Sequence, residues 1–255
     1  MNYIVPAKLV EKRLNGRKPP DWKLAVISFR DRKGSDGLVQ AFEARPLPYT
    51  AFYGQEAFAE SPFVFEANVE DQQIGLITRC IWGGPQTAIL VEELACLGVK
   101  YLIGYGSAGA LDPALHLGQQ VVASSAFAND GTSRAYTEAV RIEADAELIE
   151  MALRSGEKIG RGLTTVTAVT VESFYRESEQ LVSIWRRQGA QIVNFDVSPL
   201  YAVSRDCGVK SIWLSHVSDR LSDKWDDWFW DRDEATRISE NICVELARLL
   251  RALPK

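Results

Sequence analysis

The sequence predicts an α/β fold, one domain over residues 1–255 with a large mixed sheet and helices on both faces. Three observations predict it. Short apolar, β-branched runs alternate with longer stretches whose apolar residues recur at helical spacing. Residues 73–106 read as a strand–helix–strand unit of the kind that builds parallel sheets. No linker, repeat or low-complexity tract separates the elements, and a chain of 255 residues can bury one full core.

In order, "WKLAVISF" (22–29) is a buried strand bounded by the charged turn "RDRKG". "QIGLITRCIW" (73–82) is a second strand, stopped by Gly83, Gly84 and Pro85. From Gln86 to Leu97, Ala88, Ile89, Val91, Leu94 and Ala95 share one helical face, and Gly98 ends the helix. "VKYLIGYG" (99–106) is a buried strand that runs into a glycine loop, and "QQVVASSAFA" (119–128) is the next strand. Helices follow at 145–158, 178–190 and 198–208, interleaved with strands at 161–171, 191–197 and 209–219. A long amphipathic helix over about 233–252 closes the chain.

Composition narrows the function classes. A net charge of −5 disfavours a nucleic-acid polyanion as partner, because neutralising phosphates needs a basic face. No apolar stretch approaches the roughly 20 residues that span a bilayer, and the N-terminus lacks a signal-peptide core, so a cytoplasmic protein is expected. Cys80, Cys96, Cys207 and Cys243 follow no CxxC spacing and read as buried reduced thiols. His116 and His216 have no paired ligand spacing, so no metal site is expected. His216 reads as a satisfied core residue and His116 as part of a surface turn.

Ligands of such sheets collect at the carboxyl ends of strands. Four strand ends carry unusual chemistry: 28–32, the glycine cluster 104–109, "VNFDVS" (193–198) and "HVSD" (216–219). Burying Asn194, Asp196, Ser218 and Asp219 there costs free energy unless each is paired. Either these groups converge on a ligand, or they cap the helices that follow. Asp196 or Ser198 would suit an N-cap, with Pro199 at the first helical position.

The stretch "GGPQTAILVEELACLGVKYLIGYGSAGALDPALHLGQQVVASSAFANDGTSRAY" resembles the centre of the purine nucleoside phosphorylase and uridine phosphorylase family. "TVESFYRES" is similar to that family's base-binding segment, and "GAQIVNFDVSPLYAVSRDCGVKSIWLSHVSD" to its sugar-binding and acid-bearing stretch. The resemblance runs from about residue 22 to 220, in the same order and spacing. It implies a twisted, partly barrel-like sheet, a homo-oligomer (dimer, trimer or hexamer) and cleavage of a ribosidic C–N bond. No cofactor is implied beyond inorganic phosphate as co-substrate.

Breaking an N-glycosidic bond leaves an oxocarbenium-like sugar, so the departing base must be neutralised by a proton. A buried carboxylic acid can supply it, and the resemblance puts Asp219 in that catalytic role, with an Asp suiting a purine N7. Asp196 takes the place of the glutamate on the ribose hydroxyls, Phe195 that of the methionine beneath the sugar, and Asn194 that of a second glutamate. Trp82 is a further lining residue of the sugar site. Phe174 and Ser218 are the candidates on the base, with core packing as the other reading of Phe174.

The attacking group is open on sequence. Phosphate needs arginines and hydroxyl or backbone donors. The family's "RxGSxG" arginine is replaced by Gly104, which leaves Ser107, Gly106, Ser28, Arg32 and Arg30 as the phosphate or water site, with Arg79 or Arg134 as other sources. The "GSAG" form is closer to the methylthioadenosine and S-adenosylhomocysteine nucleosidases, which use water, and Asp31 is then the candidate base. Phosphorolysis of a purine nucleoside is the expectation. Hydrolysis and a non-catalytic nucleoside-binding role are the alternatives. "SDKWDDWFWDRDE" (222–234) reads either as a lid on the site or as an aromatic anchor for the last helix or a subunit interface.

Overall fold

The computed structural model describes residues 3–53, 55, 63–221, 225–227 and 232–251. The elements begin with α1 (Pro6–Leu14), β1 (Leu24–Ser28), α2 (Arg32–Ala41), β2 (Arg45–Pro46), β3 (Phe63–Val69), β4 (Gln72–Thr78) and α3 (Gly84–Cys96). β5 (Tyr101–Ala110), β6 (Gln120–Ala128), α4 (Gly131–Arg134), β7 (Arg141–Glu143), α5 (Ala146–Lys158) and β8 (Thr164–Thr170) follow. After a one-turn 3-10 helix at Phe174–Arg176 come α6 (Glu179–Gln188), β9 (Ile192–Asn194), α7 (Val197–Asp206), β10 (Lys210–Leu221), β11 (Trp225–Asp227) and α8 (Arg232–Leu250).

β1 is buried at all five positions because sheet neighbours and helices cover both edges and both faces. It lies parallel between β4 and β5, so the expected strand–helix–strand unit closes around it. β5 also pairs parallel with β10, and the path β10–β6–β8–β9 returns to β5. The sheet is therefore mixed and partly closed, and β4, β3 and β2 extend it beyond β1. One apolar core packs α3 and α7 on one face, with Trp22, Leu200 and Trp213 fully buried. The other seats α2, α5 and α8 through Leu38, Leu148, Ile242 and Leu246.

One edge of β5 changes partner where the site forms. β1 pairs with β5 as far as Ser28 opposite Tyr105, and β9 takes over at Val193 opposite Gly109. Among the described residues no strand pairs with residues 106–108 on that edge. On the opposite edge, β10 bulges between Val217 and Asp219, so Ser218 is an extra residue in the ladder. A bulge of this kind re-aims the side chains beside it.

Several expectations need correction. The glycines of "LIGYGSAG" do not form a loop, because β5 runs unbroken from Tyr101 to Ala110. A Cβ on Gly104 would lie 2.6 Å from both Leu200 Cδ2 and Trp213 Cδ1, and one on Gly106 would lie 2.8 Å from Trp213 Cζ2. These glycines make room for the buried Trp213 indole. "RDRKG" is not a turn, since Arg32 opens α2 after Asp31 accepts from the Gly34 N–H at 2.9 Å. α7 begins at Val197, so Pro199 is its third residue, and the Asp196 side chain does not cap it. Ser198 lies inside α7, where its hydroxyl donates to Asp130 and accepts from Ser133. The four cysteines are free thiols, but only Cys80 and Cys243 are buried, and Cys96 is exposed.

Candidate active site

A cavity of about 340 Å³ opens where β5 changes partner, and all four strand ends singled out in the sequence contribute to it. Phe29, Arg30 and Asp31 come from the end of β1, and Ser107, Ala108 and Gly109 from β5. Val193, Asn194, Phe195 and Asp196 come from β9 and the turn into α7, with Ser218 and Asp219 from the bulge of β10. Trp82, Phe174, Glu177 and Trp225 complete the lining.

The aromatic side chains form one wall. Trp82 and Phe195 stack with centroids 6.3 Å apart and planes 8° from parallel, and Phe174 tilts against Phe195 at 6.2 Å. Trp82 is held by its indole N–H, which donates to the Phe29 carbonyl at 2.7 Å, although the residue is 63% exposed. Phe174 is also exposed, so it is not a core residue. An exposed flat ring at a cavity mouth can stack on a heterocyclic base.

Asp196 and Asn194, the residues expected on the ribose, are both buried. Asp196 Oδ1 accepts a 2.7 Å bond from the Gly83 N–H, while burial pushes its carboxyl up to about 7 against that donor. Asn194 Oδ1 accepts from Thr170 Oγ1 at 3.2 Å. Its Nδ2 is buried and meets no acceptor among the described residues. The pair thus offers a ligand one acceptor and one unsatisfied donor, the complement of a vicinal diol.

At the other end Asp219 is gripped through both oxygens. Ser218 Oγ lies 2.6 Å from Oδ1, and the Trp225 indole N–H donates to Oδ2 at 3.0 Å. The Ser218 hydroxyl also lies 3.2 Å from the Ala108 carbonyl. Gly109 leaves space for this carboxylate, since a Cβ there would come within 3.2 Å of Asp219 Oδ2. Glu177 lines the same end, and burial followed by the nearby Asp219 raises its carboxyl to about 7. Glu177 had not been singled out in the sequence. Its one signal there is position within "ESFYRES", a segment whose other ionisable residues do not line the cavity.

Of the residues expected at the phosphate or water site, Arg30 and Ser107 line the cavity, and Gly106, Ser28 and Arg32 do not. Arg30 lines the cavity, donates from Nη2 to Thr236 Oγ1 at 3.3 Å, and keeps Nε buried without an acceptor among the described residues. Ser107 faces the same space. Gly106 does not line the cavity, because Trp213 covers its side-chain direction. Ser28 is fully buried against Ser35, with the hydroxyls 3.3 Å apart. Arg32 lies on the exposed face of α2 beside Asp36. Arg79 pairs with Asp36 at 2.7 Å and stacks over Phe63, and Arg134 is exposed on α4, so neither lines the cavity. Position 104 cannot present an arginine to the site either, because its side-chain direction is occupied by Leu200 and Trp213. Among the described residues that line the cavity, four carboxyl groups, Asp31, Glu177, Asp196 and Asp219, face one guanidinium.

Of the segment 222–234, Trp225 belongs to the cavity, while 222–224 and 228–231 lie outside the described residues. His216 is fully buried with Nδ1 3.3 Å from Ser239 Oγ, and His116 is exposed. Among the described residues no group of three or more His, Cys, Asp or Glu side chains could hold a metal ion. No described helix is long and apolar enough to cross a membrane.

The sequence profile of the Phosphorylase superfamily matches residues 40–253. A guanosine phosphorylase of Halorubrum lacusprofundi is 33% identical over 145 residues, 54% of this chain and 58% of that protein. A uridine phosphorylase of Thermococcus kodakarensis is 36% identical over 97 residues, 36% of this chain and 34% of that protein. The chain thus aligns with well under two thirds of either relative's length. In three dimensions it is similar to a purine nucleoside phosphorylase from Toxoplasma gondii solved with immucillin-H. That match has TM-score 0.77 and 19% identity, and covers 90% of this chain and 92% of that one.

Proposed function

Since the chain belongs to the phosphorylase superfamily, whose nucleoside phosphorylases are pentosyltransferases, we propose that its cavity cleaves the N-glycosidic bond of a purine nucleoside with phosphate as the attacking group. The observation that carries this reading is the shared cavity of a diol-complementary pair, Asp196 and Asn194, and a carboxylate end at Asp219, joined by a wall of aromatic rings.

In this reading the ribose hydroxyls meet Asp196 and Asn194, and Phe195 packs under the ring. The base lies against Phe174 with its N7 edge toward Ser218 and Asp219. As the C1′–N9 bond lengthens, its electron pair moves onto the purine, and a proton delivered at the carboxylate end lets the base leave neutral. Phosphate, held by Arg30 and Ser107, forms the new bond to C1′. The enzyme needs no cofactor beyond phosphate, works in the cytoplasm and forms a homo-oligomer. Exposed Ile81, Trp82, Phe174 and Tyr175 near the mouth supply apolar surface for a subunit contact.

Hydrolysis is the second reading, and the excess of carboxyl groups over guanidinium among the described residues of the cavity favours it. Asp31 would then act on water. The test is base release from inosine, adenosine, methylthioadenosine and uridine, with and without phosphate. Phosphate-dependent release supports phosphorolysis, and phosphate-independent release supports the nucleosidase. Ligand binding without release supports a nucleoside-binding protein.

A further inference from the structure

We propose that Glu177 and Asp219 form a dyad holding a single proton, carried by Glu177, that selects a 6-aminopurine over a 6-oxopurine. The proposal rests on the nucleoside-cleaving reading and narrows its substrate class.

The two carboxyl groups reach the same end of the cavity from different elements, Asp219 from the β10 bulge and Glu177 from the end of the 3-10 turn. Their surroundings differ. Asp219 accepts hydrogen bonds through both oxygens, from Ser218 and Trp225, and two donors fit an acceptor-only carboxylate. No donor among the described residues meets the Glu177 carboxyl, which is half-buried near Asp219. The other ionisable groups that line the cavity among the described residues are Arg30, Asp31 and Asp196, and Glu177 is raised by burial and then by Asp219. Burial and the neighbouring Asp219 hold the proton on Glu177 up to about pH 7.

A one-proton pair presents one donor and one acceptor side by side. The N7 edge of a 6-aminopurine presents the complement, the N7 acceptor beside the exocyclic amino donor. A 6-oxopurine shows two acceptors on that edge, and binding it would need both carboxyl groups protonated. The dyad divides the acid's work: Glu177 donates and Asp219 accepts from the amino group.

The proton balance closes for either attacking group. Glu177 gives its proton to N7 as C1′–N9 breaks and the electron pair enters the purine. Phosphate or water bonds to C1′ and releases its own proton, which returns to Glu177 through solvent at the mouth.

The test is kcat and KM for adenosine and for inosine between pH 5 and 8.5, in wild type, Glu177→Gln, Glu177→Asp and Asp219→Asn, each checked for folding by thermal melting. Wild type is expected to favour adenosine by about tenfold or more near pH 6.5, with an alkaline loss of kcat/KM near pH 7. Glu177→Gln keeps a donor at N7, so KM for adenosine holds while kcat drops about 10²-fold or more and the alkaline limb weakens to the part that Asp196 supplies. Glu177→Asp restores part of kcat together with the limb. Asp219→Asn slows adenosine about 10²-fold and shifts preference toward inosine, because an amide can donate to a 6-oxo group. Unchanged kcat and an unchanged limb in Glu177→Gln overturn the dyad, as does wild-type preference for inosine, while both leave nucleoside cleavage standing. Cleavage of no nucleoside by the wild type overturns both.

Discussion

The backbone N–H of Gly83 donates to Asp196 Oδ1 across 2.7 Å and ties the start of α3 to the start of α7. Gly83 makes this contact at φ 111°, a backbone conformation that favours glycine. The bond holds a fully buried carboxyl group beside the aromatic wall, and Asp196 spends its oxygen on another helix's N-terminus instead of capping its own.

Burial has a consequence for stability against pH. Asp196, Glu93 and Glu240 are all raised to about 7 in the fold, mainly by burial, from ordinary values near 4. A raised folded pKa contributes stability that is fully present below the unfolded value and is lost as pH rises through the folded one. Thermal melts should therefore show Tm falling between pH 5 and pH 8. Asp196→Asn should shrink that fall. A Tm that rises with pH over this window contradicts the burial of these groups.

Position 104 yields a prediction opposite to the one that family resemblance invites. Restoring an arginine there does not rebuild an anion site, because its Cβ alone would press on Leu200 and Trp213. Gly104→Ala should cost about 1–3 kcal/mol by overpacking, read as a lower midpoint in urea. Gly104→Arg should be less stable still, with no tighter phosphate binding. A folded Gly104→Arg with a lower KM for phosphate refutes the placement.

Among the described residues Arg30 is the cation that lines the cavity, and the proposed reaction assigns phosphate to it. Arg30→Lys keeps the charge and loses the guanidinium fork. Initial rates against phosphate concentration should give a KM for phosphate raised about tenfold, with the nucleoside KM within about threefold. An unchanged phosphate KM takes Arg30 out of that role.

Trp225 holds Asp219 through its indole N–H while its ring stays 62% exposed. Trp225→Phe should lower kcat/KM about tenfold by freeing the carboxylate, and leave Tm within about 2 °C. The reverse pattern, a large fall in Tm with unchanged kinetics, would make Trp225 a structural anchor instead.

Much of this site was legible because strand ends announce themselves: "VNFDVS" and "HVSD" set polar groups after apolar runs, and the cavity joins them. Other parts were not. α2 carries two glycines in "RKGSDGLVQA", so its local preference reads as a turn, and only the Asp31 cap and its packing against α8 make it a helix. β3 alternates imperfectly and is fixed by its antiparallel register with β4, a long-range fact. Ser28 and Gly106 were misplaced for one reason. Sequence spacing locates a residue along a strand, but which face it presents depends on packing, for Ser28 against Ser35 in the next helix and for Gly106 against Trp213 far along the chain. Glu177 escaped notice because a glutamate after a short turn looks solvated until Asp219 is brought beside it.

The central claim is tested most directly by phosphorus NMR of the protein incubated with adenosine and inorganic phosphate. The account predicts a sugar-phosphate monoester signal that grows one-for-one with released adenine. Adenine released alongside free ribose with the phosphate signal unchanged, or no adenine at all, would contradict it.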